Sequence, residues 1–471
     1  MSQNNFDFIL AGNYLTTMIA ALELSKSGKK VCVINPLPAW GGHFTKINVN
    51  GNNFDPGAIS HEFTAFNDTG LLDPKSYQPN VRNDWGRFTK VIENYTRSHI
   101  ELVRMQTPYT VYDGQLYPDI IMTNKLDVLQ HPVLANRIKS ETQLITSQPE
   151  SELHPKNKKT NQLYIEKNYY EASVANHGAT LHSELFEPYF QKMSNLSTTG
   201  LIALYHRIGW LPLYYPETIL SQYSDSPQNF HDTYFCYPKA GYVGVFGETL
   251  SKRLEEAGIT IVREAIEKVD DIPGKTTVIL KSGLDVTAPK LIWSLTHDQL
   301  VSAVTDKPAN IFDRWSATLV FMTIPRIKLL KTFSVLWSPD RQTLFYRACN
   351  QTESSGFDEP NARITVELNP DYLKGLGLTE EADIIKRVKQ DFATLGFVSD
   401  TEAISIEGFK TLKNVLLLPS RENWKLLENE RDILYDRYPN VFFTRNTESF
   451  FTDTLNDQII KGLKIAEQFK N

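Results

Sequence analysis

Near the start of the chain two histidines stand beside glycine-containing turns: His43 directly after Gly41-Gly42, and His61 after Gly57-Ala58-Ile59-Ser60. Imidazole changes charge near neutral pH, so a histidine carried on such a turn can move a proton or hold a polar ligand group. Far along the chain, Tyr346-Arg347 sets a phenol beside a guanidinium, whose planar fork suits a phosphate or carboxylate. Gly12 separates an apolar run from a helical pattern, where a tight turn can aim backbone N–H groups at an anion. Taken singly, each has a plainer reading: a packing or surface histidine, an ion pair with one of many acids, an ordinary turn.

The elements that must position these groups are clearest at residues 6–34. Phe6-Asp7-Phe8-Ile9-Leu10-Ala11 is short, largely apolar and closed by Gly12, as a buried parallel strand requires. From Tyr14 to Lys26 the residues Leu15, Met18, Ile19, Leu22 and Leu24 recur near helical spacing, and Ser27-Gly28-Lys29-Lys30 stops the run. Val31-Cys32-Val33-Ile34 is a second buried strand, so the unit is β-α-β with parallel strands and a right-handed crossover. Asn35 ends that strand, and Pro36 to Trp40 lead into Gly41-Gly42-His43, with Asn53-Phe54-Asp55-Pro56-Gly57-Ala58 beyond.

Later patterns predict a helix from Val245 to Ala257, a strand over Ile259 to Val262, and strands over Thr276–Lys281 and Lys290–Trp293 around the turn Ser282-Gly283. Residues 184–209 read as largely helical. Residues 315–325, 343–348 and 362–368 alternate like strands of a mixed sheet, with Tyr346-Arg347 near the end of the second run. A strand over Asn440–Thr444 and a helix from about Asp457 to Phe469 close the chain.

In this order the segments resemble the FAD-binding superfamily of amine oxidases, protoporphyrinogen oxidases, phytoene desaturases and UDP-galactopyranose mutases. Members run strand, GxGxxG, helix, strand ending in an acid, a glycine pair, then an apolar-Asp-x-Gly segment. Tyr237–Val269 is similar to the later turn, helix, strand and adenine-side contact, and Val441–Glu467 to the C-terminal strand and helix. The fold implied is α/β: an FAD/NAD(P)-binding Rossmann-like domain with a mixed parallel sheet, and an α+β substrate domain. Residues 1–65, 236–300 and 436–471 would form the first, and 66–235 and 301–435 the second. The cofactor implied is FAD, held by Gly12, Asn13, Tyr14, Leu15, Asn35, Gly41, Gly42, His43, Gly57, Ala58, Ile266, Arg445 and Asn446. The catalytic candidates are His61, His43, Arg347 and Tyr346; in the mutases an arginine placed like Arg347 grips the substrate diphosphate.

The chain departs from the fingerprint at chosen points. Of GxGxxG only Gly12 remains, Tyr14 and Thr17 standing at the other two places, and Asn35 replaces the ribose-binding acid. A tyrosine at the second place should obstruct close approach of the backbone to a pyrophosphate. Thr444-Arg445-Asn446 stands where members carry Gly-Asp or Gly-Arg, and Phe450 and Phe451 where the mutases have tyrosines. The other mutase arginine would fall near Trp210–Pro212, where there is no cation and Arg207 is out of register. An aromatic group, Trp210, Tyr214, Tyr215, Tyr234, Phe235 and Tyr237, could wall a substrate cavity or simply form core.

Composition bounds the rest. The 471 residues carry 41% apolar and 11% aromatic side chains, enough for a sizeable core. A formal charge of −6 with mixed signs argues against a nucleic-acid partner. Cys32, Cys236 and Cys349 form no CxxC pair, so no metal site or disulfide framework is expected. No basic-then-apolar leader and no run of about 18 apolar residues occurs, so a cytoplasmic protein without a membrane span is expected, acting on a small-molecule substrate. The resemblance implies an enzyme, an FAD-dependent oxidoreductase oxidising a small organic substrate. The alternatives are a mutase-like non-redox flavoenzyme acting on a sugar nucleotide, and a silent member that binds cofactor weakly or not at all.

Overall fold

The computed structural model describes residues 6–65, 89–106, 108–119, 127–154, 163–205, 211–225, 232–305, 312–443 and 454–470. Arg445 and Asn446, expected at the cofactor, lie outside the described residues, as do Arg207, Trp210, Thr444, Phe450 and Phe451.

The apolar run Phe8–Ala11, buried at every residue, is the central strand of a five-stranded parallel sheet. The order across it is Thr260–Val262, Val31–Ile34, Phe8–Ala11, Lys290–Trp293 and Val441–Phe443. All four pairings are parallel, and Ala11 stands opposite both Ile34 and Trp293, Ile34 opposite Val262, and Trp293 opposite Phe443. The strands therefore end in one line, and the chain leaves them together at Gly12, Asn35, Arg263 and Ser294. In open α/β sheets this carboxyl edge is where ligands bind.

One face of the sheet is covered by three helices, Leu15–Lys26, Val245–Glu256 and Leu455–Gln468, which share one apolar core with it. The opposite face packs on an antiparallel sheet of Ile266–Ile272, Lys275–Leu280 and Asp285–Ala288, and on helix His297–Val304. The strand Asp285–Ala288 adds an element between the two runs read from the sequence. Among the described residues no helix is long and apolar enough to cross a membrane.

A second, seven-stranded sheet has the order Ser405–Leu417, Arg314–Pro325, Asn361–Leu368, Arg347–Asn350, Val335–Trp337, Tyr109–Tyr112 and Gln115–Pro118. A small sheet pairs His61–Ala65 and Leu102–Arg104 with Asp232–Pro238, so strands drawn from both sides of residues 65 and 235 lie together. The run expected over 343–348 differs: the strand is Arg347–Asn350 and begins at Arg347, where the sequence placed an end. Side chains hold the preceding loop away from a ladder. The Leu344 N–H donates to Asp391 Oδ2 at 2.6 Å, and the buried Lys192 ammonium donates to the Ser338 and Asp340 carbonyls and to Thr343 Oγ1 at 2.8–2.9 Å. Over 184–209 the helical expectation becomes a π-helical turn, His182–Phe186, then helix Glu187–Ser194 stopped by left-handed Asn195.

The helices Leu15–Lys26 and Leu455–Gln468 lie in intimate contact. A Cβ on Gly462 would stand 2.8 Å from Ile19 Cβ and 3.0 Å from the Thr16 carbonyl, so only glycine lets the backbones come this close. Gly462→Val is expected to force the helices apart and destabilise the chain by about 1–3 kcal/mol. Thermal unfolding should show the loss as a lower midpoint, with Gly200→Val, where the backbone is not left-handed and nothing lies within 4 Å of a new Cβ, as the comparison.

Candidate functional site

At the carboxyl edge of the parallel sheet, Gly12 turns with φ +130° and donates its N–H to the Ile34 carbonyl at 2.9 Å. A Cβ there would collide with Ser294 Oγ, which itself donates to the Ala11 carbonyl at 2.9 Å. Thr17, at the third fingerprint place, makes a short hydroxyl contact with the same Ser294. Tyr14 is the residue that caps helix Leu15–Lys26, without a side-chain hydrogen bond to it. Its ring lies directly on Gly42, in the space a Gly42 Cβ would take. The Leu15 N–H, first of the helix, donates to Gln458 Oε1 of the C-terminal helix at 2.9 Å, and Thr16 Oγ1 donates to the Gln458 carbonyl at 3.1 Å.

The second strand ends in local bonds. Asn35 is fully buried, accepts from the Leu37 N–H at 2.9 Å and donates to the Ala39 carbonyl at 3.5 Å. Asn13 Nδ2 donates to that same carbonyl at 3.0 Å, and the Gly41 N–H donates to the Asn13 carbonyl at 2.8 Å. The glycine pair is thus tied to the first turn. His43 is exposed and packs on Phe44 with ring centroids 3.9 Å apart. Ile266 opens the antiparallel sheet behind, paired with Leu280, and packs on the core of that face.

The segment Asp55–His61 is joined to the second sheet. Gly57 has φ +143°, and a Cβ on it would approach within 2.9 Å of the Glu367 carboxyl carbon. That carboxylate accepts from the Ala58 N–H at 2.7 Å, from the Arg347 guanidinium at 2.6 Å and from the Tyr346 hydroxyl at 3.1 Å. Arg347 and Tyr346 are therefore both drawn to one buried acid, which holds the Arg347 charge well above its ordinary range. Asp55 is buried too, accepting from the Val243 N–H at 2.8 Å and from the Tyr237 hydroxyl. Desolvation pushes its carboxyl up to about 7 despite those donors and the Arg363 charge.

His61 is fully buried, stacked near Phe63 with centroids 6.1 Å apart and edge-on to Phe246 at 6.2 Å. Among the described residues neither ring nitrogen has a hydrogen-bond partner, and burial, helped by the Arg97 charge, lowers its pKa to about 3. Trp40 Nε1 and Asn13 Oδ1, both buried, also have no hydrogen-bond partner among the described residues. The aromatic cluster disperses: Tyr214 lies among the helices of the second region, Tyr237 over Ala58, and Tyr215 is exposed.

Sequence reasoning passed over Glu367, Gln458 and Ser294. Glu367 stands between the apolar Val366 and Leu368 in the buried strand Asn361–Leu368, a signal that it is paired, since buried acids are. Nothing local marked Gln458, whose partner stands 443 positions away.

No family model and no curated sequence matches the chain. Solved structures share its fold over nearly its whole length. A reduced UDP-galactopyranose mutase is 15% identical, with TM-score 0.69 over 98% of this chain and 94% of that one. Cyclohexylamine oxidase from Brevibacterium oxydans is 11% identical, with TM-score 0.61 over 99% of this chain and 100% of that one. Putrescine oxidase bound to putrescine is 10% identical, with TM-score 0.59 over 99% and 98%. The fold is the one shared by these mutase and amine oxidase structures.

The residues at the carboxyl edge do not fit the pyrophosphate of a dinucleotide as they stand. The second-glycine place is filled by the Tyr14 ring, the first helix amide by Gln458, and the Asn35 amide by its own loop.

The two buried titrating groups give opposite pH signatures. Asp55 has a raised folded pKa, so the stability it contributes is full below the unfolded value and is lost as pH rises through about 7. Asp55→Asn keeps an acceptor for Val243, while the Tyr237 hydroxyl can turn to accept, so its midpoint should gain on the native one as pH goes from 5 to 8. His61 has a lowered pKa, so its contribution is full above about 6.5 and is lost as pH falls toward about 3. His61→Phe keeps the ring contacts and should gain on the native protein as pH falls from 7 to 4. Parallel melting curves for either pair would contradict the burial described.

Proposed function

We propose that this chain keeps the flavoenzyme fold but works without a stably bound flavin, as a binding protein and not a redox catalyst. The observation that carries this reading is the Tyr14 ring seated on Gly42, between the first helix and the glycine-pair turn. A dinucleotide needs the backbone bare at that point, because its phosphates approach the helix end closely. The bonds of Asn35 and Leu15 to protein groups agree, since a ligand would have to break them before making its own. Arg347, the candidate for gripping a substrate diphosphate, is committed to Glu367.

A second reading, an FAD-dependent oxidoreductase of a small organic substrate or a mutase-like enzyme on a sugar nucleotide, is favoured by the buried polar atoms of Trp40, Asn13 and His61. Atoms of that kind are rare in finished interiors and common where a ligand completes the site.

Purified protein decides between them. A flavin carries its own chromophore, so the first reading expects a colourless preparation lacking absorbance near ~450 nm. Added FAD is expected to leave the melting midpoint unchanged, because only a ligand of the native state raises it. Yellow protein bleached by dithionite would overturn the first reading, and a UDP-sugar that then raised the midpoint would point to the mutase-like enzyme. Tyr14→Gly is expected to bind FAD more tightly than the native chain; equal binding would show that the ring is not the obstruction.

A further inference from the structure

The first turn of helix Leu15–Lys26 contains no acidic residue, and Tyr14 gives it no side-chain cap. Its positive end would attract an anion. What meets the Leu15 N–H is instead the neutral Gln458 carboxamide, fully buried. Residue 458 is fixed from several sides. The Thr16 hydroxyl holds its carbonyl, and the Gly462–Ile19 contact sets the distance between the helices. The capping box of Thr454 and Asp457 starts its helix, and Asn456 Nδ2 donates to the Glu62 carbonyl at 2.5 Å. One residue before the helix cap, Asn13 is only 2% exposed, and its Nδ2 donates to the Ala39 carbonyl at 3.0 Å, so the approach to this buried end is tied to the glycine-pair loop.

We propose that Gln458 is a built-in occupant of the position where this fold would receive a phosphate oxygen, and that residue 458 decides whether the helix end admits an anion. The inference rests on the closed-cradle reading and names the group that closes it at the helix. A glutamine is long enough to reach Leu15 from the neighbouring helix and brings an acceptor without charge. Shortening residue 458 opens the amide, whereas Gln458→Glu replaces the neutral acceptor by an anion and keeps it shut.

Hydrogen exchange of the segment 13–19 reads this directly. Relative to the native chain, the Leu15 amide is expected to exchange at least tenfold faster in Gln458→Ala and in Gln458→Asn, and no faster in Gln458→Glu or in the exposed control Gln468→Ala. With Tyr14→Gly added to clear the ring, inorganic pyrophosphate at millimolar concentration is then expected to slow exchange at Leu15 in the two shortened variants, to do so less in Tyr14→Gly alone, where Gln458 still occupies the amide, and to leave the native chain unchanged. Native-like exchange in both shortened variants, or fast exchange that pyrophosphate does not slow, overturns the proposal. Equal protection of the native chain by pyrophosphate overturns it as well. The colour of the same native preparation tests the closed-cradle reading separately, so either can fail without the other.

Discussion

The contact between the first helix and the C-terminal helix is the constraint on which the rest of the molecule depends. Gly462 lets the two backbones meet at Ile19 and Thr16, and Gln458 then satisfies the buried first amide of the helix beside it. A buried helix end must find acceptors somewhere, since an unpaired N–H away from water costs about 1–3 kcal/mol. Here the acceptor comes from the far end of the chain. The same packing lays a third apolar face on the parallel sheet, whose edge strand Val441–Phe443 immediately precedes that region of sequence.

The fold was legible where burial dictates pattern. Phe8–Ala11 and Val31–Ile34 are apolar throughout because both faces of a parallel strand are covered, and the helix between them shows its spacing plainly. The start of the region 343–348 was not legible, because Asp391 takes the Leu344 N–H, while Lys192 holds the Thr343 hydroxyl and the Ser338 and Asp340 carbonyls of the loop before it. Alternation along a sequence reports which face is dry. It does not report who satisfies the backbone.

The candidate site was half legible for a related reason. Glycines mark close approaches, so Gly12, the Gly41-Gly42 pair and Gly57 could be found without coordinates, and the Tyr14 obstruction could be foreseen. The partners that make those approaches could not. Glu367 reaches the Gly57-Ala58 turn from the second sheet, and Ser294 reaches Gly12 from the end of the neighbouring strand. Arg347 and Tyr346 were singled out for their chemistry, and what the sequence could not say is that one acid draws them both.

The short link between Ser294, Thr17 and the turn at Gly12 carries a consequence for how such a fold changes over generations. Thr17, Ser294 and Gln458 each answer a hydrogen bond at this edge that would otherwise go unmet, so these side chains support one another. Undoing one alone strands its neighbour's donor or acceptor in a dry interior, and neighbouring substitutions of this kind are not additive. On the closed-cradle reading, opening this edge by single substitutions therefore runs through weaker variants. A change of this sort behaves as a ratchet, easy to enter by single steps and hard to leave by them.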